Sequence, residues 1–242
     1  MNKTPVAVIA GVGEGLGFAL GKRFAKAGLR VALAARNVER LERLAEEIRR
    51  DGGSAIAAPT DARSEEEVLA LFDELESEHG PVEVAVYNAG ANFRASILET
   101  PADMFEKIWR LGCFGGFLFG REAARRMVPR GRGTILYTGA TASLRGGSQF
   151  AAFAAAKNGL RAVAQSMARE LGPKNVHVAH VVIDGMIDTQ AGRLRFPERA
   201  QVLGEDGMLA PDAIAELYYQ LHVQPRSAWT FEADLRPWAE KF

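Results

Sequence analysis

The sequence predicts an α/β fold, a doubly wound parallel sheet of about seven strands with helices on both faces. Short apolar runs alternate with longer segments of helical period, a glycine-rich turn joins the first run to the first helix, and 242 residues suit one domain. The strands are expected at residues 6–10, 29–35, 55–58, 82–87, 133–138, 176–183 and 228–233. The helices are expected between them at residues 15–27, 38–50, 64–78, 101–127, 149–171 and 211–221.

Local signals support the starts of several of these helices. Asn37 stands where a side-chain oxygen can accept a hydrogen bond from a first-turn amide of the second helix. Ser64 and Glu67 have the spacing of a capping box before the third helix. Asp212 adds negative charge to the first turn of the last helix, where the helix dipole favours it.

The composition excludes several classes of protein. Hydrophobic residues make up 48% of the chain and charged residues 25%, as in ordinary globular domains. Thirty basic residues balance thirty acidic ones, so the chain lacks the positive field that nucleic-acid binding requires. The single cysteine, Cys113, suits a reducing compartment, and the apolar run at 6–10 is too short for a signal peptide or a membrane span. We therefore expect a cytoplasmic protein that binds neither nucleic acid nor membranes.

The chain shows no boundary between domains. No repeat, low-complexity tract or proline-rich linker interrupts the alternation, so residues 1–242 are expected to form one nucleotide-binding domain. The least regular stretch is 184–209, between the sixth strand and the last helix. Loops of this length in a compact domain are usually functional, and we expect this one to be a substrate lid.

The turn after the first strand has the composition of an anion-binding loop. The segment GVGEGLG occupies residues 11–17 and leads directly into a helix, whose N-terminal amides and dipole favour a pyrophosphate. The spacing GxGxxG does not fit, because the third glycine would fall at Leu16 or Phe18. The spacing GxxxGxG fits, through Gly11, Gly15 and Gly17.

This glycine spacing, the Asn88, Ala89, Gly90 segment after the fourth strand and the position of Lys157 resemble the short-chain dehydrogenase/reductase family over essentially the whole chain. The resemblance implies a Rossmann-type fold that binds NAD(P). It also implies that Asp184 replaces a proline of the family. The cofactor contacts implied by the resemblance are Gly11, Gly15, Leu16, Gly17, Asp61, Asn88, Ala89, Gly90, Lys157, Gly185, Ile187 and Thr189.

The end of the second strand bears on the choice between NAD and NADP. An acidic residue there would bind the ribose 2′-hydroxyl of NAD, whereas an arginine would accommodate the 2′-phosphate of NADP. The segment AARN at 34–37 has no carboxylate and offers Arg36 as a phosphate ligand. Glu14 in the glycine loop argues the other way, because its charge would repel a phosphate. We expect NADP in preference to NAD.

The catalytic residues of the family are mostly absent. The resemblance implies a tyrosine as proton donor, a serine and an asparagine beside it, and a lysine that binds the ribose. Lys157 is the lysine, but the tyrosine, serine and asparagine positions hold Phe153, Ala140 and Gly112. The related enoyl reductase arrangement would need a tyrosine at Phe150. A general acid is worth about 10² to 10⁴ in rate, so a conventional alcohol dehydrogenase with this site would be slow.

Other polar residues follow the strands and could supply the proton. Thr141 and Ser143 come directly after the fifth strand and are the first candidates, with Lys157 or a water on it as another. Hydroxyls in such loops also serve as turn or cap groups. Ser148, Gln149 and Asp184 are further candidates.

Two hypotheses of function remain open. The first is an NAD(P)-dependent oxidoreductase that transfers hydride to or from a small or medium apolar carbonyl, enone or imine, with an unconventional proton donor. The second is a non-catalytic dinucleotide-binding protein, a sensor or assembly partner.

The four histidines are dispersed, so no metal site is expected. The alanine-rich helix near 151–156 suits close packing between subunits, and the resemblance implies a homo-oligomer, a tetramer or dimer.

Overall fold

A computed structural model describes residues 3–241 and contains one seven-stranded parallel sheet, which confirms the expected α/β fold. The strand order is β3-β2-β1-β4-β5-β6-β7. The strands are β1 (Val6–Ala10), β2 (Arg30–Ala35), β3 (Ser54–Pro59), β4 (Val82–Tyr87), β5 (Thr134–Thr138), β6 (His177–Ile183) and β7 (Glu232–Leu235).

Nine α-helices lie between these strands in the described part of the chain. They are α1 (Leu16–Lys26), α2 (Val38–Arg50), α3 (Glu65–Glu74), α4 (Ala102–Trp109), α5 (Gly115–Arg130), α6 (Ala151–Leu171), α7 (Gln190–Arg195), α8 (Pro197–Leu203) and α9 (Pro211–His222). Within residues 3–241, no helix is both long enough and apolar enough to cross a bilayer.

The sheet has a hydrophobic core on each face, because successive side chains of a strand point to opposite sides. Ile9 belongs to the core that includes Phe24 of α1 and Tyr218 of α9. Val8 belongs to the other core, which includes Phe72 of α3 and Phe119 of α5. All five residues of β1 are buried, as expected for a strand covered on both faces.

Three elements differ from the expectation. The helix expected at 101–127 is divided into α4 and α5 by a π-helical turn at Arg110–Phe114, where the Tyr87 hydroxyl donates to the Leu111 carbonyl. The last strand begins at Glu232 rather than 228, because the indole of Trp229 stacks on His177 instead of continuing a strand. The stretch 184–209 contains the short helices α7 and α8.

The strand order reverses at the centre of the sheet, and this reversal locates the cleft. From β1 the chain proceeds outward through β2 and β3, and then returns to pair β4 with the other edge of β1. The loops that leave the carboxyl ends of β1 and β4 therefore diverge and open a crevice between them. In open α/β sheets ligands bind at this position.

Candidate active site

A cleft of about 650 Å³ lies at the carboxyl ends of the central strands. It is lined by six of the thirteen residues expected to hold a dinucleotide. They are Gly11, Arg36, Asp61, Asn88, Ala89 and Gly90. A larger groove, of about 1090 Å³, lies between α1, α9 and residues 51–53 and contains none of the expected site residues.

The glycines of the loop fall into two groups by their surroundings. A Cβ on Gly11, which has a φ of +83°, would lie 2.5 Å from the backbone N of Ala89, and one on Gly17 would lie 2.8 Å from Cα of Val12. A Cβ on Gly13 would have no neighbour within 4 Å. The spacing GxxxGxG thus selects crowded positions, two of them against backbone and Gly15 against the Thr189 side chain.

Asn88 joins the glycine loop to the end of β4. Its Nδ2 donates to the Gly11 carbonyl at 3.1 Å, and its backbone N donates to the Ala10 carbonyl at 2.9 Å. The Leu16 side chain is buried in the core, so its place in the site is that of a first-turn backbone amide of α1. Together these contacts hold the amides at the start of α1 beside the cleft.

Lys157 is buried on α6 and reaches across to the end of β5. Its Nζ donates to the Thr138 carbonyl at 2.7 Å, and a Cβ on Gly90 would lie 3.3 Å from it. Burial lowers the pKa of Lys157 to about 8. An ammonium group beside Gly90 is well placed to contact a ribose bound along the end of β4.

Two positions where the resemblance implies catalytic side chains are closely packed. A Cβ on Gly112 would lie 2.8 Å from Cβ of Ala156, so α6 occupies the space that an asparagine would need. The hydroxyl of Ser143 accepts from the Ala140 amide at 3.1 Å, and Ser143 is fully buried. Ser143 therefore holds the turn after β5, and its hydroxyl does not face the cleft.

Thr141 and Asp184 form a pair at the ends of the neighbouring strands β5 and β6. The Thr141 hydroxyl donates to Oδ1 of Asp184, whose side chain is buried. The Asp184 backbone N donates to the Leu235 carbonyl at 2.8 Å, and a guanidinium nitrogen of Arg236 lies 3.9 Å from Oδ2. Thr141 is partly exposed, whereas Asp184 is buried.

The segment after β6 reaches the glycine loop through Thr189. A Cβ on Gly15 would lie 2.7 Å from Cγ2 of Thr189, and Oγ1 of Thr189 accepts from the Gly192 amide at 3.0 Å. Gly185, at a φ of +146°, packs against Pro237, and Ile187 pairs with Leu209. Neither Gly185 nor Ile187 lines the cleft beside Asn88. Of these three expected contacts, Thr189 is the one packed on the loop.

The sequence did not reveal the partners of Glu14 and Asp61, the two carboxylates near the cofactor cleft. Glu14 pairs with Arg43 of α2, which offsets the negative charge that argued against NADP. Arg63 donates to Oδ1 of Asp61 at 2.9 Å, and this hydrogen bond holds the pKa of Asp61 below its ordinary value. Arg40 also lines the cleft. Arg40 could have been noticed in the sequence, because it is a basic residue in the first turn of a helix, where the helix dipole disfavours positive charge.

A partly buried polar array lies between α6 and the edge of the sheet. Arg161 donates to Glu232 at 2.6 Å, and Nδ1 of His180 lies 3.0 Å from the same carboxylate oxygen. Burial lowers the pKa of His180 to about 4, so the ring is neutral near pH 7.

Outside the cleft, ligand atoms of Glu74, Glu78 and His79 lie within 4.8 Å of one another, and such exposed acidic groups are common without a metal.

The comparisons with known proteins determine the family. The model of the short chain dehydrogenase family matches residues 5–200. The chain belongs to this family. A short-chain dehydrogenase from Rhodopseudomonas palustris is 46% identical in its solved structure, with a TM-score of 0.84 and coverage of 97% of this chain and 99% of that one. Membership confirms the resemblance and the expected class of cofactor, NAD(P).

Two further relatives are more distant. A metagenomic short-chain oxidoreductase, solved in complex with NADP, is 26% identical with a TM-score of 0.84, over 98% of each chain. A 3-oxoacyl-[acyl-carrier-protein] reductase from Rattus norvegicus is 32% identical over 184 residues, which are 76% of each chain. The family resemblance thus extends across the sheet, including the end of β6 where Asp184 lies.

We expect Gly17→Ala to destabilise the protein and Gly13→Ala to leave its stability nearly unchanged. The added methyl group at residue 17 would meet the Val12 backbone at 2.8 Å, and overpacking of this kind costs about 1–3 kcal/mol. At residue 13 it would meet open space, so a change within about 0.5 kcal/mol is expected. Urea unfolding without nucleotide measures both. Equal effects would contradict the assignment of the crowded glycines.

We expect the stability of the protein to rise relative to Lys157→Met between pH 7.5 and 9.5. The folded pKa of Lys157, about 8, is below the ordinary value of 10.5, so between these values the unfolded chain binds the extra proton. Stability therefore increases with pH there, by about 2 kcal/mol over this interval. The measurement is the free energy of unfolding in urea at each pH. If the free energy of unfolding changes with pH in the same way in both proteins, the lowered pKa of the buried Lys157 amine is wrong.

Proposed function

We propose that this chain is an NADP-dependent oxidoreductase in which Thr141 and Asp184 handle the proton that tyrosine handles elsewhere in the family. The substrate is a small or medium apolar carbonyl, enone or imine, or the corresponding reduced compound. The observation that carries the proposal is the hydrogen bond from the Thr141 hydroxyl to the buried Asp184 carboxylate.

The charges around the cleft support NADP as the cofactor. Arg36 follows β2 and is exposed at the rim of the cleft, and no carboxylate occupies the position that would bind a ribose 2′-hydroxyl. Arg43 offsets the charge of Glu14. The metagenomic relative that is 26% identical holds NADP in its solved structure. When it is bound, the nicotinamide ring supplies or accepts the hydride.

The pair of side chains can move a proton in either direction. In oxidation, Oγ1 of Thr141 accepts the proton of a substrate hydroxyl and passes its own proton to Oδ1 of Asp184. In reduction, the Asp184 carboxylate first takes a proton from water, and Oδ1 then passes that proton to Oγ1 of Thr141 as the Thr141 hydroxyl protonates the substrate oxygen. Arg236, 3.9 Å from Oδ2, offsets the negative charge of the carboxylate. Lys157 remains free for the ribose, because its bond to the Thr138 carbonyl uses one of its three N–H groups.

Apolar side chains on the segments that border the carboxyl edge support an apolar substrate. They come from the loop after β4, the start of α6, the loop after β6 and the turn between α7 and α8. They are Phe93, Phe150, Phe153, Met186 and Phe196.

The position of α7 and α8 after the loop that follows β6 supports the proposal that residues 184–209 act as a lid. Ala151 and Ala155 stay partly exposed on α6, which supports a homo-oligomer.

A second function is supported by the packing of α6 on Gly112. Because Ala156 occupies the space of the family's asparagine, the relay through that residue is closed, and a non-catalytic dinucleotide-binding protein would have this arrangement. The two functions differ in their prediction for the wild-type protein. The oxidoreductase turns over NADPH with a suitable substrate, whereas the binding protein only binds it.

We expect Thr141→Val and Asp184→Asn each to lower kcat about 10²- to 10⁴-fold, because each removes a proton-transfer group. Oxidation of NADPH with a panel of apolar ketones, enones and imines measures this effect. Ser227→Ala, which removes an exposed hydroxyl on the turn before β7, is the control and should match the wild type. Unchanged kcat in Thr141→Val would contradict the proposed relay and transfer the role to Lys157.

The double variant Phe153→Tyr, Ala140→Ser separates the two functions. If the wild type is a working oxidoreductase, it turns over at least one substrate of the panel. The double variant then only adds a second proton donor, which turnover does not need. Turnover by the double variant alone, with tight NADPH binding by both proteins, would establish the non-catalytic function instead. Fluorescence titration with NADPH provides the binding measurement.

A further inference from the structure

The residues that follow β7 lie against the start of the proposed lid. The Leu235 carbonyl, at the end of β7, accepts from the Asp184 backbone N at 2.8 Å. Residues 236–240, the strap, continue from there. Within the strap Pro237 is buried, and a Cβ on Gly185 would lie 2.8 Å from its Cδ. The strap therefore packs closely on the residue that follows Asp184.

The strap also places a positive charge beside the buried carboxylate. Asp184 stands where the resemblance implies a proline, and a buried carboxylate is costly without a compensating partner. Its Oδ1 accepts from the Thr141 hydroxyl, and its Oδ2 lies 3.9 Å from a guanidinium nitrogen of Arg236. The same nitrogen of Arg236 donates to Asp234. The two oxygens of Asp184 thus have different partners, a hydroxyl after β5 and a cation on the strap.

The far end of the strap contacts a helix of the proposed lid. A guanidinium nitrogen of Arg199 on α8 lies 3.9 Å from a carboxylate oxygen of Glu240, whose backbone N donates to the Pro237 carbonyl at 3.0 Å. Gly185, at the start of the lid, has a φ of +146°, which suits a glycine and few other residues. One short segment thus contacts the lid at its first residues and again on α8.

We propose that the strap positions both the proton-transfer pair and the lid. Arg236 orients the Asp184 carboxylate so that Oδ1 faces Thr141, and Glu240 anchors α8. The inference rests on the proposed function, because the carboxylate that Arg236 orients is the one assigned to proton transfer. Arg236 acts through Asp184, so it is a positioning residue.

The kinetic test removes the guanidinium group. Arg236→Met should lower kcat about 10- to 100-fold and change the substrate KM less than about threefold, because misplacing a reacting group has an effect of this size. Arg236→Lys keeps the charge and should recover part of the loss. Arg226→Met, on the exposed turn before β7, is the matched control and should match the wild type. Oxidation of NADPH with the substrate panel measures all of them.

A double-mutant cycle shows whether Arg236 acts through Asp184. In an Asp184→Asn background, Arg236→Met should change kcat less than about twofold, since the group that it orients is already lost. Urea unfolding of the same four proteins tests the contact without turnover, and the losses of stability should be less than additive. A merely structural role for Arg236 would give the same loss of kcat in both backgrounds.

Limited trypsin digestion with NADPH present tests the anchor on α8. Cleavage after Arg193 and Arg195, which are exposed on α7, reports opening of the lid when opening is fast relative to cleavage. Glu240→Gln releases Arg199 and should accelerate these cleavages at least threefold. Trp238→Ser is the matched control, because its side chain is on the same strap and is 80% exposed. Mass spectrometry of the fragments identifies the cleaved bonds.

The outcomes distinguish this inference from the proposed function. Additive losses of stability, or an unchanged kcat in Arg236→Met, would overturn the role of Arg236. Cleavage of Glu240→Gln at the rate of the wild type would overturn the anchor on α8. If the wild type turns over no substrate while stability is coupled and cleavage is accelerated, the oxidoreductase falls and the strap remains the anchor of the lid.

Discussion

The site depends on the close contact between two bare backbones, the glycine loop after β1 and the end of β4. Gly11 and Gly17 carry no side chains, and this lets the start of α1 approach Ala89 and Asn88 so closely that Asn88 bonds to the Gly11 carbonyl. Because β1 and β4 are neighbours where the strand order reverses, this contact determines where the cleft opens. The amides at the start of α1 are held beside the cleft by this contact.

Two of the positions where the resemblance places catalytic side chains are closely packed. Ala156 fills the space above Gly112, and Ser143 is used to hold the turn beside Ala140. Asp184, where the resemblance implies a proline, adds a polar group that accepts from Thr141. A buried carboxylate is costly unless it is bonded, and the Thr141 hydroxyl supplies such a bond.

The strands and the glycine loop could be predicted from the sequence because they depend on local patterns, namely apolar runs and the spacing of glycines. The division of the helix near Gly112 could not, since it depends on contact with Tyr87 of β4 and with α6. For the same reason, Asp184 was visible as a residue but its pairing with Thr141 was not, because the partners are 43 positions apart.

The contact of Thr189 with Gly15 has a consequence for the order of events during turnover. The methyl group of Thr189 rests on the loop that faces the cofactor phosphates, and the same residue caps α7 at the start of the segment expected to cover the substrate. If residues 184–209 act as the proposed lid, an outward swing of this segment uncovers the dinucleotide together with the substrate. Departure of the product and exchange of the nucleotide then share one motion, coupled through the Thr189 side chain.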